Sequence, residues 1–181
     1  MEDGMWLARS LAILQAEFSD LGDAQDITRV CVRLGVALLL GALLGYEREV
    51  AGAQAGLRTH MLVCMGSALF VLVPLQAGMP VEDVSRVMQG ITAGIGFLGA
   101  GAILKLESEN VIKGLTTAAG VWLTAAVGVA AGMGLEATAV LSALFTWVVL
   151  ALLRTNKHHP GRDEHGRTQV PDDVRDKKRS R

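Results

Sequence analysis

Between Leu34 and Leu153 the charged residues of this chain occur in short clusters, and apolar runs lie between the clusters. The runs cover residues 30–46, 59–81, 87–104, 114–135 and 137–153. A helix rises about 1.5 Å per residue and the hydrocarbon core of a bilayer is about 30 Å thick, so a span needs roughly 17 to 25 apolar residues. A single soluble domain of 181 residues has too little interior to bury five such runs. The sequence therefore predicts an all-α fold, a polytopic membrane helix bundle with about five transmembrane helices.

The basic residues lie mostly at one end of these runs. If the first span enters the membrane from outside, 13 of the 17 Lys and Arg residues fall on the inner side and four on the outer side. Positive residues close to the ends of spans are retained on the cytoplasmic side of a membrane. The predicted topology therefore has the N-terminus outside and the C-terminus in the cytoplasm, with residues 30–153 as the transmembrane domain.

Residues 1–29 form a leader on the outer side. They carry six acidic residues and lack the positive start of a secretory signal, so no cleaved signal is predicted. Leu7, Leu11, Leu14 and Phe18 recur at helical spacing, which predicts a short amphipathic helix on the outer surface, and a partly disordered leader is the alternative.

Residues 154–181 have no apolar periodicity and combine nine basic with five acidic residues. A segment of this composition cannot bury enough surface to fold alone, so a disordered basic cytoplasmic tail is predicted. The adjacent His158 and His159 have no third ligand or carboxylate beside them, and no metal site is assigned to them.

Glycines recur every four residues in several runs, and helix packing is the expected reason. The string from Gly94 to Gly99 matches the dinucleotide-binding fingerprint, but that fingerprint works at a strand-to-helix turn and this string lies in an apolar run. On a helix Gly90, Gly94 and Gly101 share one face and Gly99 lies opposite, so we expect a central third span, with a broken or re-entrant span as the alternative. The predicted packing glycines are Gly41, Gly45, Gly90, Gly94, Gly96, Gly99 and Gly101, and Gly128 and Gly132 repeat the spacing in the fourth span.

Polar residues converge at the inner ends of the spans, and we call this set the inner polar layer. It consists of Glu47, Arg48, Glu49, Arg58, Thr59, His60, Asn110, Thr116 and Thr117. A cation at a helix N-terminus is disfavoured by the helix dipole, so Arg58 is expected to pair with Glu47 or Glu49. The layer is interpreted either as a set of polar contacts that hold the helix ends together or as a binding site for an anionic group or a partner protein.

Four strings in this order resemble the MgtC/SapB family of bacterial inner-membrane proteins. They are GALLGYERE at 41–49, AGLRTH at 55–60, GITAGIGFLGAGAIL at 90–104 and GLTTAAGVWLTAA at 114–126. The resemblance implies a polytopic helical domain in the bacterial inner membrane, linked to magnesium homeostasis and, in pathogens, to virulence. It also implies that some members act by binding other membrane proteins. Longer members add a folded cytoplasmic domain after the last span, and regulation through such a domain is expected to be absent here.

Three classes of function are compatible with an inner-membrane protein of this kind. A regulator of other membrane proteins needs only a specific surface, which the inner polar layer supplies, and this is the predicted function. A transporter of magnesium or another cation is the alternative, although the second to fifth spans hold no Asp or Glu at membrane depth.

An enzyme is not expected, because no nucleophile stands beside a base, and no cofactor is expected. The expected partners are the lipid bilayer, another inner-membrane protein and further copies of the chain, and no nucleic acid is expected.

Overall fold

A computed structural model describes residues 2–17, 22–106 and 111–153 of the chain. In chain order the elements are α1 Glu2–Glu17, α2 Ala24–Val50, α3 Leu57–Gln76, α4 Val84–Ala102, β1 Leu104–Leu106, β2 Val111–Lys113, α5 Leu115–Gly132 and α6 Glu136–Leu152. Six helices confirm the all-helical prediction for these residues, whereas the short hairpin of β1 and β2 was not foreseen. The predicted tail at 154–181, together with Phe18 and Asn110, lies outside the described residues.

Helices α2 to α6 occupy the five apolar runs. Three of them, α2, α3 and α5, are long and apolar enough to cross a membrane, and α6 is a shorter apolar helix of 17 residues. Helix α4 has 19 residues, but Arg86 and Gln89 lie in its first turns. The structure thus shows a helical bundle with at least three candidate spans among the described residues, and the count of five remains a prediction.

Helices α3 and α5 lie at the centre of the bundle. Helix α5 packs against α2, α3, α4 and α6, and α3 packs against α2, α4 and α5. Glycines allow this close approach: a Cβ at Gly41 would lie 2.8 Å from the His60 carbonyl oxygen, and one at Gly45 would lie 2.7 Å from the Leu57 Cα. A Cβ at Gly128 would overlap the Cys64 carbonyl in the same way. The glycines at 41, 45 and 128 therefore lie at close contacts between helices.

The prediction of a central third span is wrong. Helix α4 packs mainly on α5, more weakly on α3, and lies at the edge of the bundle. A Cβ added at Gly90, Gly94, Gly96 or Gly101 would meet none of the described residues within 4 Å, and one at Gly99 would make only ordinary contact with Ala118 at 3.6 Å. Glycine spacing marks a face that could approach another helix closely, but it does not say whether that helix belongs to the same chain.

The hairpin connects the end of α4 to the start of α5. Leu104 pairs with Lys113 and Leu106 with Val111 in an antiparallel register. Gly114 follows with φ of +96°, and a Cβ there would overlap the Ala102 carbonyl, so this turn requires glycine. The turn sets where α5 begins and therefore where Thr116 and Thr117 lie. The fingerprint-like string from Gly94 to Gly99 lies inside α4, as expected for an accidental match.

Helix α1 confirms the predicted N-terminal helix. Its apolar side chains are exposed: Trp6 is 69% exposed, Leu11 61% and Leu14 54%. A helix that exposes several large apolar side chains is suited to a membrane surface. Its position on the outer surface stays a prediction.

Candidate functional site

The inner polar layer lies where the end of α2 meets the starts of α3 and α5, and burial divides it into two parts. Glu47, Arg48, His60 and Thr117 are buried, and we call them the buried cluster. Glu49, Arg58, Thr59 and Thr116 are exposed, and we call them the exposed set. The sequence placed both groups at one end of the bundle, but it did not distinguish them.

Glu47 and Arg48 form a buried ion pair within α2. The Arg48 Nε donates to Glu47 Oε2 at 2.5 Å, and Nη2 donates to Oε1 at 2.8 Å. Arg48 Nη2 also reaches the Leu150 carbonyl of α6 at 3.5 Å. Adjacent residues on a helix do not normally face each other. The Arg48 side chain must therefore turn back along α2 to make its two hydrogen bonds to the Glu47 carboxylate. The pair cancels both charges inside the bundle and links α2 to the end of α6.

The expected pairing of Arg58 with Glu47 or Glu49 is wrong. Glu47 is engaged by Arg48, and the Glu49 Oε2 accepts a hydrogen bond from the Leu57 backbone N–H at 2.8 Å. Glu49 therefore places a negative charge at the N-terminus of α3, where the helix dipole favours it. Arg58, in the first turn of α3, is exposed and forms no ion pair with any residue that the structure describes.

His60 is fully buried between α2, α3 and α5. Its Nδ1 lies 3.0 Å from the Gly56 carbonyl, and because a carbonyl only accepts, Nδ1 carries the hydrogen. In the neutral ring the other nitrogen, Nε2, is then an acceptor, and it has no protein partner among the described residues. A Cβ at Gly120 would lie 3.7 Å from this nitrogen and 4.0 Å from the Arg48 Cδ. The ring tip therefore points toward α5 beside the arginine stem.

Sequence reasoning missed the part that Gly120 and the carbonyl of Leu150 take in this cluster. Gly120 shares one face of α5 with Thr117, Thr124 and Gly128. Listing the residues at three- and four-residue spacing from Thr117 would therefore have identified Gly120 as part of the cluster. The contact with Leu150 joins residues 102 positions apart in the chain, and no local pattern contains it.

The two carboxylates of the inner polar layer are already engaged within the chain. The described residues contain no group of three or more His, Cys, Asp or Glu side chains that could hold a metal ion. The carboxylate of Glu47 is already bound by arginine, and Glu49 caps a helix. Within the exposed set, Arg58, Thr59 and Thr116 form no side-chain hydrogen bond with a described residue, so these three can contact a molecule outside the bundle.

A model of the MgtC family matches residues 34–159. Protein SrpB of Synechococcus elongatus is 45% identical over 130 residues, which are 66% of this chain and 71% of SrpB. The Escherichia coli K12 protein named "Putative magnesium transporter YhiD" is 40% identical over 126 residues, covering 66% of this chain and 58% of YhiD. Protein MgtC of Brucella abortus is 48% identical over 122 residues, covering 67% of this chain and 50% of that protein. No solved structure matches the chain significantly.

A bundle of apolar helices with its polar residues gathered at the helix ends defines a multi-pass membrane protein. The family match extends from α2 through α6, and it includes the buried cluster and all four strings that carried the resemblance. The chain belongs to the MgtC family.

Proposed function

We propose that this protein acts in the bacterial inner membrane as a regulator of another membrane protein during adaptation to magnesium limitation. Family membership and the magnesium-related name of one relative support the link to magnesium. The exposed set supports the regulatory role, because it offers a polar binding surface beside an apolar bundle. Its action is by binding, without catalysis.

Arg58 is the observation that carries this proposal. It is an exposed cation in the first turn of α3, at a helix end where the dipole disfavours positive charge, and it has no acidic partner among the described residues. An acidic group on a second protein would remove this unfavourable interaction. Thr59 and Thr116 lie exposed on the same layer and supply hydroxyl groups for the same contact.

Cation transport is the second candidate, and the name of YhiD favours it. Magnesium dehydrates reluctantly and is usually held by one or two carboxylates that keep its remaining waters in place. In the buried cluster the Glu47 carboxylate receives two hydrogen bonds from Arg48, so it is not available as a ligand without breaking a buried ion pair. This geometry supports the regulator over the transporter.

The orientation is part of the proposal: five spans, the N-terminus outside and the C-terminus inside. The basic residues concentrated on one side support it. A fluorescent protein fused after Leu153 is expected to fluoresce, and alkaline phosphatase fused there is expected to be inactive. Active phosphatase at that position would contradict the five-span orientation.

Two measurements test the function. Tagged parent protein and the Arg58→Ala variant are captured from membranes of the native host grown in low magnesium, and co-purifying membrane proteins are quantified. Purified protein is also placed in liposomes that contain a magnesium-sensitive dye. We expect a membrane partner that the variant loses, and no saturable magnesium entry.

Arg29→Ala is the matched control, because Arg29 is also exposed but lies near the other end of α2 in an ion pair with Asp26. It is expected to keep the partner. Saturable magnesium entry by the parent would establish the transporter instead, and loss of the partner in both variants would refute the role of Arg58.

A further inference from the structure

The close packing of α5 on its neighbours is interrupted beside the ring tip of His60. A Cβ at Gly128 would overlap the Cys64 carbonyl, but at Gly120, two turns earlier on the same helix, the neighbours stand further away. A Cβ there would lie 3.7 Å from His60 Nε2 and 4.0 Å from Arg48 Cδ, and no further described atom of a neighbouring helix would lie within 4 Å. These are ordinary van der Waals distances. The bundle therefore has space for a group of about one heavy atom between Gly120, the ring tip and the arginine stem.

The histidine atom that borders this space is an acceptor without a donor. His60 is fully buried, and its Nδ1 donates to the Gly56 carbonyl at 3.0 Å, which leaves a lone pair on Nε2 of the neutral ring. Among the side-chain nitrogens and oxygens of the residues that the structure describes, Nε2 is the one fully buried atom that forms no hydrogen bond. An unpaired acceptor inside an apolar bundle is unfavourable, so a group that donates to Nε2 is favoured at this position.

Arg48 brings an unused donor to the same cluster. Its Nε and Nη2 donate to the Glu47 carboxylate, and Nη2 also reaches the Leu150 carbonyl. Its Nη1 forms no hydrogen bond with a described residue. The space is therefore bordered by an acceptor on His60 and by the stem of an arginine that has a donor to spare. A small group that accepts from Arg48 and donates to His60 would satisfy both side chains.

Charge decides which small group fits this description. A cation would lie against the Arg48 side chain, and the Glu47 carboxylate that could balance it is already held by that arginine. An anion would face the lone pair of His60 Nε2 and would carry no proton to donate to it. Water is neutral, donates and accepts, and has the required size. Buried waters typically bridge polar groups that would otherwise have no partner.

We propose that the buried cluster binds one internal water, which accepts a hydrogen bond from Arg48 Nη1 and donates one to His60 Nε2. Gly120 forms the site, because the side chain of any other residue at this position would fill it. The water joins the histidine of α3 to the ion pair of α2. The proposal is independent of the regulatory function and of magnesium.

Two substitutions of Gly120 test the unpaired acceptor through stability. Gly120→Ala puts a methyl group in the space, whereas Gly120→Ser puts there a hydroxyl that can donate to His60 Nε2 in place of the water. Both variants are expected to fold, because an added Cβ would make only ordinary contacts, and the serine variant is expected to have the higher melting temperature. Serine is the weaker helix former, so helix propensity alone predicts the opposite order.

Gly35→Ala and Gly35→Ser are the matched control pair. A Cβ at Gly35 would meet no described residue within 4 Å, so helix propensity decides there and the alanine variant is expected to be the more stable. Alanine above serine at both positions would refute the unpaired acceptor, and the proposal with it.

Solid-state NMR in lipid bilayers detects the water itself. The full chain is produced with isotope-labelled histidine, and His158, His159 and His165 are changed to Gln so that His60 gives the only imidazole signals. Transfer of magnetisation from water to an unprotonated Nε2 is expected in this protein and in its Gly35→Ala variant, and a severalfold weaker transfer is expected in Gly120→Ala. A protonated Nε2, no transfer from water, or equal transfer in Gly120→Ala would overturn the proposal.

Discussion

Two regions of this molecule use the same glycine spacing in opposite ways. On the tight side, where α2, α3 and α5 meet, Gly41, Gly45 and Gly128 bring backbones so close that a single Cβ would clash. On the open side, along the outer face of α4, a Cβ added at Gly90 or Gly94 would meet no described residue within 4 Å. Four-residue glycine spacing therefore predicts that a face is suited to close contact, and only the packing of the whole bundle shows which faces are satisfied internally.

Removing one partner of the buried ion pair should cause the largest loss of stability, because the charge of the other partner is then left buried on the tight side. Arg48→Met leaves the Glu47 carboxylate buried without a partner, which typically costs about 3 to 5 kcal/mol in the free energy of unfolding. The double variant Glu47→Gln, Arg48→Met should lose less than the sum of the two single variants. Unfolding in detergent, followed by circular dichroism, measures all three, and strictly additive losses would contradict the pair.

Gly128→Ala should come next. The new methyl group would overlap the Cys64 carbonyl, so α3 and α5 must move apart, and overpacking of this kind costs about 1 to 3 kcal/mol. The same unfolding experiment measures the loss. A variant as stable as the parent would mean that the tight side tolerates separation of its helices.

Gly94→Ala is the matched change on the open side. Alanine favours helix over glycine by about 1 kcal/mol, and the added methyl group would meet no described residue within 4 Å. At high dilution in detergent, where copies are separated, the free energy of unfolding is expected to stay the same or rise by up to about 1 kcal/mol. A loss of stability as large as that of Gly128→Ala would contradict the claim that the open side has room for a side chain and the tight side does not.

Arg58→Ala should have the smallest effect on stability. Arg58 is exposed and has no ion pair among the described residues, so the change is expected to stay within about 0.5 kcal/mol of the parent. Thermal unfolding beside the Arg29→Ala control measures it. Measurable coupling between Arg58 and Glu47 or Glu49 in a double-mutant cycle would show that Arg58 does form an ion pair with that glutamate, and it would contradict the structure.

The exposed and buried parts of the inner polar layer show how far local reasoning reaches. Glu47, Arg58 and His60 were placed at one end of the bundle because hydrophobic runs fix where each helix ends. The choice of partner was not predictable, because Arg48 lies next to Glu47 in the chain and adjacent helical residues usually diverge. The cap of Glu49 on Leu57 depends on how the loop between α2 and α3 folds back.

The sequence by itself determined that this is a helical membrane protein of the MgtC family, where its helices lie, and which residues gather at their ends. Apolar length and charge clustering act locally and remain visible in any stretch of the chain. Only the tertiary structure decided that α3 and α5 are central, that α4 lies at the edge, and that Arg48 rather than Arg58 neutralises Glu47. Those outcomes depend on helices docking across about a hundred residues of chain, as in the contact of Arg48 with Leu150, and no local pattern contains them.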